Sequence, residues 1–198
     1  MPCSVMADNI VLYAVHGVLM AIGWLVLIPA GIWMSTIGKR RYPESWLCLH
    51  RSIMISALLV VLSSAAIAIA ITGSHFTTLH AILGPVLNVM LIVQALAGWI
   101  ISQSSPQRSR PALNKIHKFV GLLLYLGGIV NGLLGMHEYS MKLSCPHAIY
   151  MMGVLMGVIV CAEGYLLWAI LPAWWDTWCN DPNFEHAAID EPLLPTQP

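Results

Sequence analysis

Long apolar stretches separated by short polar ones run along most of the chain. Apolar segments of 18 or more residues recur, and a helix of that length spans roughly 30 Å of hydrocarbon. No stretch alternates apolar and polar residues over short distances, as the strands of a transmembrane barrel do. The pattern therefore predicts an all-α integral membrane protein with five transmembrane helices. Their predicted bounds are residues 10–37, 46–72, 79–102, 113–136 and 147–171.

The polar segments define the rest of the predicted organisation. Residues 1–8 form a short lead, and the apolar segment after it is too long for the core of a cleaved secretory signal, so we expect a retained signal anchor. Residues 9–172 would form one transmembrane domain, with its four-helix core in residues 10–136. Residues 173–198 would form a tail that is acidic and rich in proline, and we expect disorder beyond Asn183.

Composition agrees with this membrane assignment. Hydrophobic residues make up 58% of the 198 residues and charged residues only 9%, against about 25% charged residues in soluble domains. The formal net charge is zero, so nothing indicates a nucleic-acid partner. The five cysteines form no CxxC pair, and an odd, scattered set argues against a disulfide framework or a zinc site.

Lysine and arginine are unevenly distributed between the loops, and this asymmetry predicts the orientation. Loop 73–78 has no lysine or arginine, and loop 137–146 has only Lys142. The N-terminus and the loops with few cations should face outward, and the C-terminal tail should be cytosolic. The cations of the other two loops and the adjoining helix are Lys39, Arg40, Arg41, Arg108, Arg110, Lys115 and Lys118.

Each of the first four apolar segments carries one histidine near its beginning, and ionisable residues inside a membrane span are functional candidates by default. Because consecutive helices run antiparallel, His16 and His80 should lie near the outer side, and His50 and His117 near the inner side. Two facing imidazoles make a six-coordinate, low-spin haem that is suited to electron transfer. We therefore predict two bis-histidine haem sites stacked across the bilayer. One such histidine could be a hydrogen-bonded packing residue, but four at matched depths are hard to explain by packing.

Two amides repeat at the same distance from a histidine. Gln94 follows His80 by fourteen residues, and Asn131 follows His117 by fourteen residues. That spacing is about 21 Å along a helix and within roughly 40° of the same face, so each amide should lie near the opposite haem. It could hydrogen-bond a propionate or a ligand histidine, or simply bond between helices. Glycines that could leave space for a porphyrin edge, or serve ordinary helix contacts, are Gly17, Gly84 and Gly121.

These residues resemble the cytochrome b-561 family, and most closely the branch associated with DOMON domains. The stretch His16-Gly17-Val18-Leu19-Met20-Ala21, with Trp24 and Pro29-Ala30-Gly31 behind it, resembles the first core helix. The other three core helices are matched by Leu49-His50, by the His80 to Gln94 spacing, and by Ile116-His117 with Gly121 and Asn131. We expect a stand-alone transmembrane domain, whose DOMON-type partner would be a separate protein.

The resemblance implies two b-type haems, one held by His16 with His80 and one by His50 with His117. It also implies a transmembrane oxidoreductase that carries electrons from cytosolic ascorbate to an outer acceptor such as monodehydroascorbate or a ferric chelate. A homodimer is expected from the family as well. Two alternatives stay open: an electron relay to or from a separate DOMON-type or haem protein, and a haem-free membrane scaffold.

Other polar residues have weaker interpretations. The cluster Lys39, Arg40 and Arg41 could attract an anionic donor, although the positive-inside signal explains it without a substrate. An acidic dileucine pattern at 190–194 makes an endosomal or vacuolar membrane an alternative to the plasma membrane. Three further histidines, expected on the outer face, could hold a metal or relay a proton, although plain interfacial histidines are the favoured interpretation: His75, His137 and His147.

Overall fold

The computed structural model describes residues 9–73, 76–103, 110–143 and 146–179, and this part of the chain contains five long helices and no strand. Each helix has a segment long and apolar enough to cross a membrane. This confirms the predicted all-α fold with five membrane-spanning helices. The helices are α1 (Ile10–Arg41), α2 (Trp46–Thr72), α3 (Leu79–Gln103), α4 (Arg110–Leu143) and α5 (Pro146–Cys179).

Helix α1 is continuous but contains two π-helical turns, Ile22–Leu27 and Met34–Gly38. Between them, Pro29 lies at the start of the α-helical segment Ile28–Trp33. A proline inside a helix has no N–H to donate and crowds the preceding turn. A wide π turn just before it accommodates that disruption without ending the helix.

The predicted C-terminal ends of three helices, at residues 37, 136 and 171, were wrong because these helices continue further. Helix α1 continues to Arg41, α4 covers Arg110–Leu143, and α5 continues through Pro172 to Cys179. The predicted loop at 137–146 is therefore mostly helix, and the predicted boundary at Pro172 lies inside α5. An interior proline costs a helix about 3 kcal/mol, and contacts of the following turn offset this cost, since Trp174 is buried and Asp176 pairs with Arg40. The predicted lead 1–8 and the predicted disorder beyond Asn183 lie outside the described residues.

The first four helices surround a common core. The most extensive contacts join α1 with α2 and α3 with α4, two antiparallel pairs, while α2 contacts α3 and α4 contacts α1. Helix α5 packs outside this ring, against α4 and the last turns of α1. Many large apolar side chains on the outer faces are exposed, as expected of surfaces that meet lipid.

The centre of the four-helix core is tightly packed. Its buried residues are Trp24, Ile28, Ala57, Val61, Leu91 and Tyr125. Two glycines allow the helices to approach: a Cβ added at Gly23 would lie 2.5 Å from Val61 Cγ2, and one added at Gly128 would lie 2.0 Å from Trp24 Cε3. A side chain at either position would force the core apart, so the middle of the core is filled by side chains and leaves its two ends for other groups.

A buried polar contact attaches α5 to this core. Tyr125 of α4 is 1% exposed and Glu163 of α5 is 6% exposed, and the tyrosine hydroxyl donates a hydrogen bond to the glutamate carboxyl group. An ionisable side chain at this depth is costly to bury and needs a partner. The Tyr125 hydroxyl provides that partner, so the contact attaches α5 to the centre of the core.

Replacing the tyrosine should therefore destabilise the protein. In Tyr125→Phe the buried carboxyl group loses its donor, and we expect the free energy of unfolding to fall by about 1–3 kcal/mol. Thermal or detergent-titrated unfolding of the purified protein measures this loss. The matched control Tyr165→Phe removes a hydroxyl from a side chain that is 70% exposed on α5, and it should change stability by less than about 0.5 kcal/mol. Equal stability of the two variants would contradict a stabilising role for the buried bond.

Candidate functional site

The four intramembrane histidines come together as two pairs at the two ends of the core. Pair A consists of His16 on α1 and His80 on α3, whose ring centroids are 6.2 Å apart with an interplanar angle of 74°. Pair B consists of His50 on α2 and His117 on α4, which line one cavity of about 370 Å³. Each pair joins one helix of the α1–α2 pair to one helix of the α3–α4 pair.

Three of the four imidazoles make the same contact, in which Nδ1 lies 2.9 Å from a main-chain carbonyl oxygen of a neighbouring helix. The residue pairs are His16 with Ser64, His50 with Gly31, and His80 with Asn131. A carbonyl oxygen only accepts hydrogen bonds, so Nδ1 carries the proton and Nε2 keeps a lone pair. Metal-binding histidines are oriented in this way, by donating their other N–H to a carbonyl or carboxylate.

Ser64 adds a second contact that the sequence did not point to. Its hydroxyl donates to the carbonyl oxygen of His16 and lies 2.9 Å from His16 Nδ1. The residue is fully buried in α2. A serine facing inward from an apolar helix is the available sequence signal, but a serine of that kind also commonly bonds within its own helix. Which histidine it would meet depends on how α1 and α2 pack.

The fourth imidazole is arranged differently. His117 Nδ1 is buried and has no hydrogen-bond partner among the described residues. The main chain of His117 is held instead, because Gln94 Nε2 donates to its carbonyl oxygen at 2.5 Å. This places Gln94, as predicted from its spacing, next to the histidine of pair B.

Asn131 occupies the corresponding place beside pair A. Its main-chain carbonyl accepts from His80 Nδ1, while its side-chain Oδ1 is buried without a partner in the described part of the chain. The glycines predicted to leave space for a porphyrin edge accommodate the amides: added Cβ atoms would lie 3.6 Å from Asn131 Nδ2 at Gly84 and 3.2 Å from Gln94 Nε2 at Gly121. Gly17 has no such neighbour within 4 Å.

Haem is a flat apolar ring that carries two carboxylates, and the residues around both pairs fit it. The cavity at pair B has apolar walls, which match the haem ring, and three cations, which match its two carboxylates. At pair A, imidazole nitrogens that bind one metal ion from opposite sides at about 2 Å have ring centroids roughly 6 Å apart, which agrees with the observed separation. The cations of the cavity are Lys39, Arg51 and Lys118.

Arg51 is a cavity residue that sequence reasoning missed. It directly follows His50, and its guanidinium lies 5.7 Å from the ring centroid of Trp99. Similarly, Lys39 Nζ lies 5.6 Å from the ring of Trp46. Both cations lie over aromatic faces, an arrangement that is itself attractive, and both line the cavity of pair B. The available signal was a charged residue next to a predicted ligand.

The proposed donor cluster is only partly available. Lys39, Arg40 and Arg41 are all exposed, but Arg40 pairs with Asp176 of α5. Helix α5 also contributes buried Trp174 to the wall of the cavity. The end of α5 that was predicted to be a tail therefore closes one side of pair B. It also pairs with Arg40, one of the three residues of the proposed donor cluster.

The remaining candidates lie elsewhere or outside the described residues. His137 is exposed on α4, and no group of three or more His, Cys, Asp or Glu side chains in the described part of the chain could hold a metal ion. The other predicted residues that the structure does not describe are His75, Arg108, and the side chains of Arg110, Lys142 and His147.

A transmembrane four-helix core with facing histidines at both ends is the architecture of a haem-binding membrane protein. The family model for eukaryotic cytochrome b561 matches residues 15–142, so the chain belongs to the cytochrome b561 family. This confirms the resemblance seen in the sequence. Members of this family bind haem, which agrees with the two facing histidine pairs of this chain.

One relative adds a second domain type. The chain is 25% identical over 128 residues to the cytochrome b561, DM13 and DOMON domain-containing protein of Arabidopsis thaliana. The match covers 62% of this chain and 14% of that relative, so the chain spans a small part of the relative's length. No solved structure matches the chain significantly.

Proposed function

We propose that this protein carries electrons across a membrane through two b-type haems, from cytosolic ascorbate to a ferric chelate or monodehydroascorbate on the other side. His16 and His80 would hold one haem, and His50 and His117 would hold the other. The observation that carries this proposal is the repeated bond from imidazole Nδ1 to a main-chain carbonyl oxygen, which leaves Nε2 for iron at both ends of the core.

The bound haems would supply a one-electron ferric–ferrous couple. The protein's own contribution would be to hold both imidazoles of each pair in place, so that the paired side chains would keep substrates away from the iron. The hydrogen bonds at Nδ1 fix the tautomer and the orientation of the rings. They also make the imidazoles stronger donors, which is one of the means by which a protein sets a haem potential.

The centre of the core would separate the two haems without adding a further redox group. Trp24 and Tyr125 are buried there among aliphatic side chains. Close packing excludes water and ions from this layer, so electrons would cross it but solutes would not. A transporter would instead need a polar path through this region.

The direction of transfer depends on the predicted orientation, with the N-terminus outside and the C-terminus cytosolic. The electron would enter at pair B and leave from pair A. A potential that is negative inside adds about 2.3 kcal/mol per charge per 100 mV in favour of outward transfer. The membrane would be the plasma membrane or an endosomal or vacuolar membrane.

A second function is supported by the relative that combines cytochrome b561 and DOMON domains. In this alternative the chain relays electrons to or from a separate DOMON-type or other haem protein and has no small-molecule specificity of its own. A homodimer is compatible with either function. The haem-free scaffold has less support, because packing alone gives no reason for four intramembrane histidines to meet as two pairs at the two ends of the core.

Haem content tests the ligand assignment. The purified protein should contain two low-spin b-type haems per chain, and either His80→Ala or His117→Ala should lower the ratio to one by removing one axial ligand. The pyridine haemochrome assay together with protein quantification measures this ratio. His137→Ala is the matched control, because this exposed histidine of α4 belongs to neither pair, and it should retain two haems. A wild-type chain without haem would contradict the proposal.

Reduction by ascorbate distinguishes the two functions. We expect millimolar ascorbate alone to reduce both haems within seconds. A stopped-flow spectrophotometer follows this reduction at the α-band of the reduced-minus-oxidised spectrum. Full reduction by dithionite with little reduction by ascorbate would contradict the ascorbate assignment and support the relay. Addition of a ferric chelate to the reduced protein should then reoxidise both haems.

The donor site is tested at Lys39, which is exposed and lines the cavity of pair B. Ascorbate is an anion at neutral pH, so Lys39→Gln should raise its KM roughly 1.4- to fivefold, as expected from an exposed charge pair that contributes about 0.2–1 kcal/mol. The control Lys39→Arg keeps the charge and should change KM little. Arg40→Gln should have a smaller effect than Lys39→Gln, because Asp176 already engages this guanidinium. An unchanged KM in Lys39→Gln would contradict a donor site there.

A further inference from the structure

Helices α3 and α4 carry the same kinds of residue at the same spacing. In both, a histidine is followed by a glycine after 4 residues, an amide after 14 and a second glycine after 18. The sets are His80, Gly84, Gln94 and Gly98 on α3, and His117, Gly121, Asn131 and Gly135 on α4. The two helices pack as an antiparallel pair. A residue of one set that contacts the histidine of the other helix therefore has a counterpart in the other set that can make the same contact.

The second glycine of each set lies beneath the histidine of the other helix. Eighteen residues are five full turns, so Gly98 lies on the same face of α3 as His80, about 27 Å further along. A Cβ added at Gly98 would lie 3.1 Å from His117 Cε1, and one added at Gly135 would lie 2.7 Å from His80 Cε1. The absence of a side chain at these two positions makes the space in which the imidazole rings lie.

The residue fourteen positions after a histidine also has a repeated role. Asn131 follows His117 by 14 residues, and its carbonyl accepts from His80 Nδ1. On the other helix pair, Ser64 follows His50 by 14 residues, and its carbonyl accepts from His16 Nδ1. The position on α3 that corresponds to these two is Gln94.

Helix α1 fits the same scheme with one extra residue. Gly31 follows His16 by 15 residues, and its carbonyl accepts from His50 Nδ1. The π-helical turn Ile22–Leu27 lies between these two positions. A π turn holds more residues per turn than an α turn, so the additional residue does not move the carbonyl to another face. Three of the four positions therefore supply an acceptor for a histidine of the neighbouring helix.

We infer that Gly98 and Gly135 are positioning residues that seat the rings of His117 and His80, and that the main-chain carbonyl of Gln94 accepts from His117 Nδ1 when Nε2 binds iron. This inference rests on the proposed haem function and adds to it a seat for each ring, formed by Gly98 and the Gln94 carbonyl for His117 and by Gly135 and the Asn131 carbonyl for His80. A neutral imidazole bound through Nε2 must carry its proton on Nδ1. His117 Nδ1 is buried without a partner among the described residues, and the three bonded histidines indicate which carbonyl is available to it.

The two seats differ in how much space they leave. A ring that is fixed at Nδ1 by a hydrogen bond and at Nε2 by iron cannot turn away from an added methyl group. At 2.7 Å the methyl group of Gly135→Ala must displace His80, whereas at 3.1 Å that of Gly98→Ala needs a shift of a few tenths of an ångström from His117. Each substitution should thus affect one haem, and Gly135→Ala should have the larger effect.

The experiment compares Gly98→Ala, Gly135→Ala and the control Gly132→Ala in the full chain purified with its haem. Gly132 is on α4 and has nothing within 4 Å of an added Cβ. Low-spin electron paramagnetic resonance signals and haem-to-protein ratios are measured, and the signals are assigned by their loss in His80→Ala and His117→Ala. We expect Gly135→Ala to lose or shift only the pair A signal, Gly98→Ala to shift only the pair B signal, and Gly132→Ala to leave both unchanged.

The outcomes separate this inference from the proposed function. A wild type with two haems whose signals are unchanged in both glycine variants, or changed equally in both pairs, would overturn the seats and leave the haem function intact. A wild type without haem would overturn both.

A further variant, Gln94→Ala, keeps the main-chain carbonyl and removes only the side-chain amide that bonds to the main chain of His117, so the pair B signal should shift less than in Gly98→Ala. A shift as large as that of Gly98→Ala would overturn the assignment of the carbonyl and transfer the role to the amide.

Discussion

The hydrogen bond from a buried imidazole to a main-chain carbonyl of the neighbouring helix is the interaction on which the organisation of this core depends. Inside a membrane there is no water to satisfy a polar side chain, so a histidine needs a partner from the protein. A carbonyl partner determines which nitrogen carries the proton and directs the other nitrogen into the core. The same bond joins α1 to α2 and α3 to α4, so the packing of helices and the orientation of the candidate ligands are set together.

Three of the four core histidines make this bond, and the antiparallel helices place the four histidines in an inverted arrangement. Within each antiparallel pair, the residue about fourteen positions after one histidine meets the other histidine, so both ends of the bundle are built in the same way. The closely packed layer around Trp24 and Tyr125 separates them. Two ends with the same donor groups and an apolar layer between them suit the transfer of an electron, which can cross a packed interior that ions and water cannot enter.

Helix α5 breaks this symmetry. It packs on α4 and on the last turns of α1, and its buried Glu163 bonds to Tyr125 at the centre of the core. Its final turns contribute Trp174 to the cavity of pair B and Asp176 to the ion pair with Arg40. Helix α5 therefore encloses one side of pair B. Among the described residues, it supplies no corresponding side chain to pair A. If pair B is the point of electron entry, α5 limits which cations an anionic donor can reach.

The sequence by itself determined the features that depend on local properties of the chain. The length of an apolar run decides whether a helix spans a membrane, so five spans and one histidine in each of the first four could be predicted. Helix geometry is regular, so a spacing of fourteen residues correctly placed Gln94 beside His117 and Asn131 beside His80. The family could be recognised from the motifs around these residues, and its model matches residues 15–142.

Only the tertiary structure decided the features that depend on contacts between helices. The polar turns after residue 136 and the aromatic turns after Pro172 have no clear local preference, and packing made them helical. Gly98, Gly135 and Ser64 look like ordinary small residues until the facing helix brings a histidine to them. The pairing of Arg40 with Asp176 joins residues 136 positions apart, and no pattern in either segment points to the other. These contacts arise from the position of one helix against another, which periodicity along a single helix does not encode.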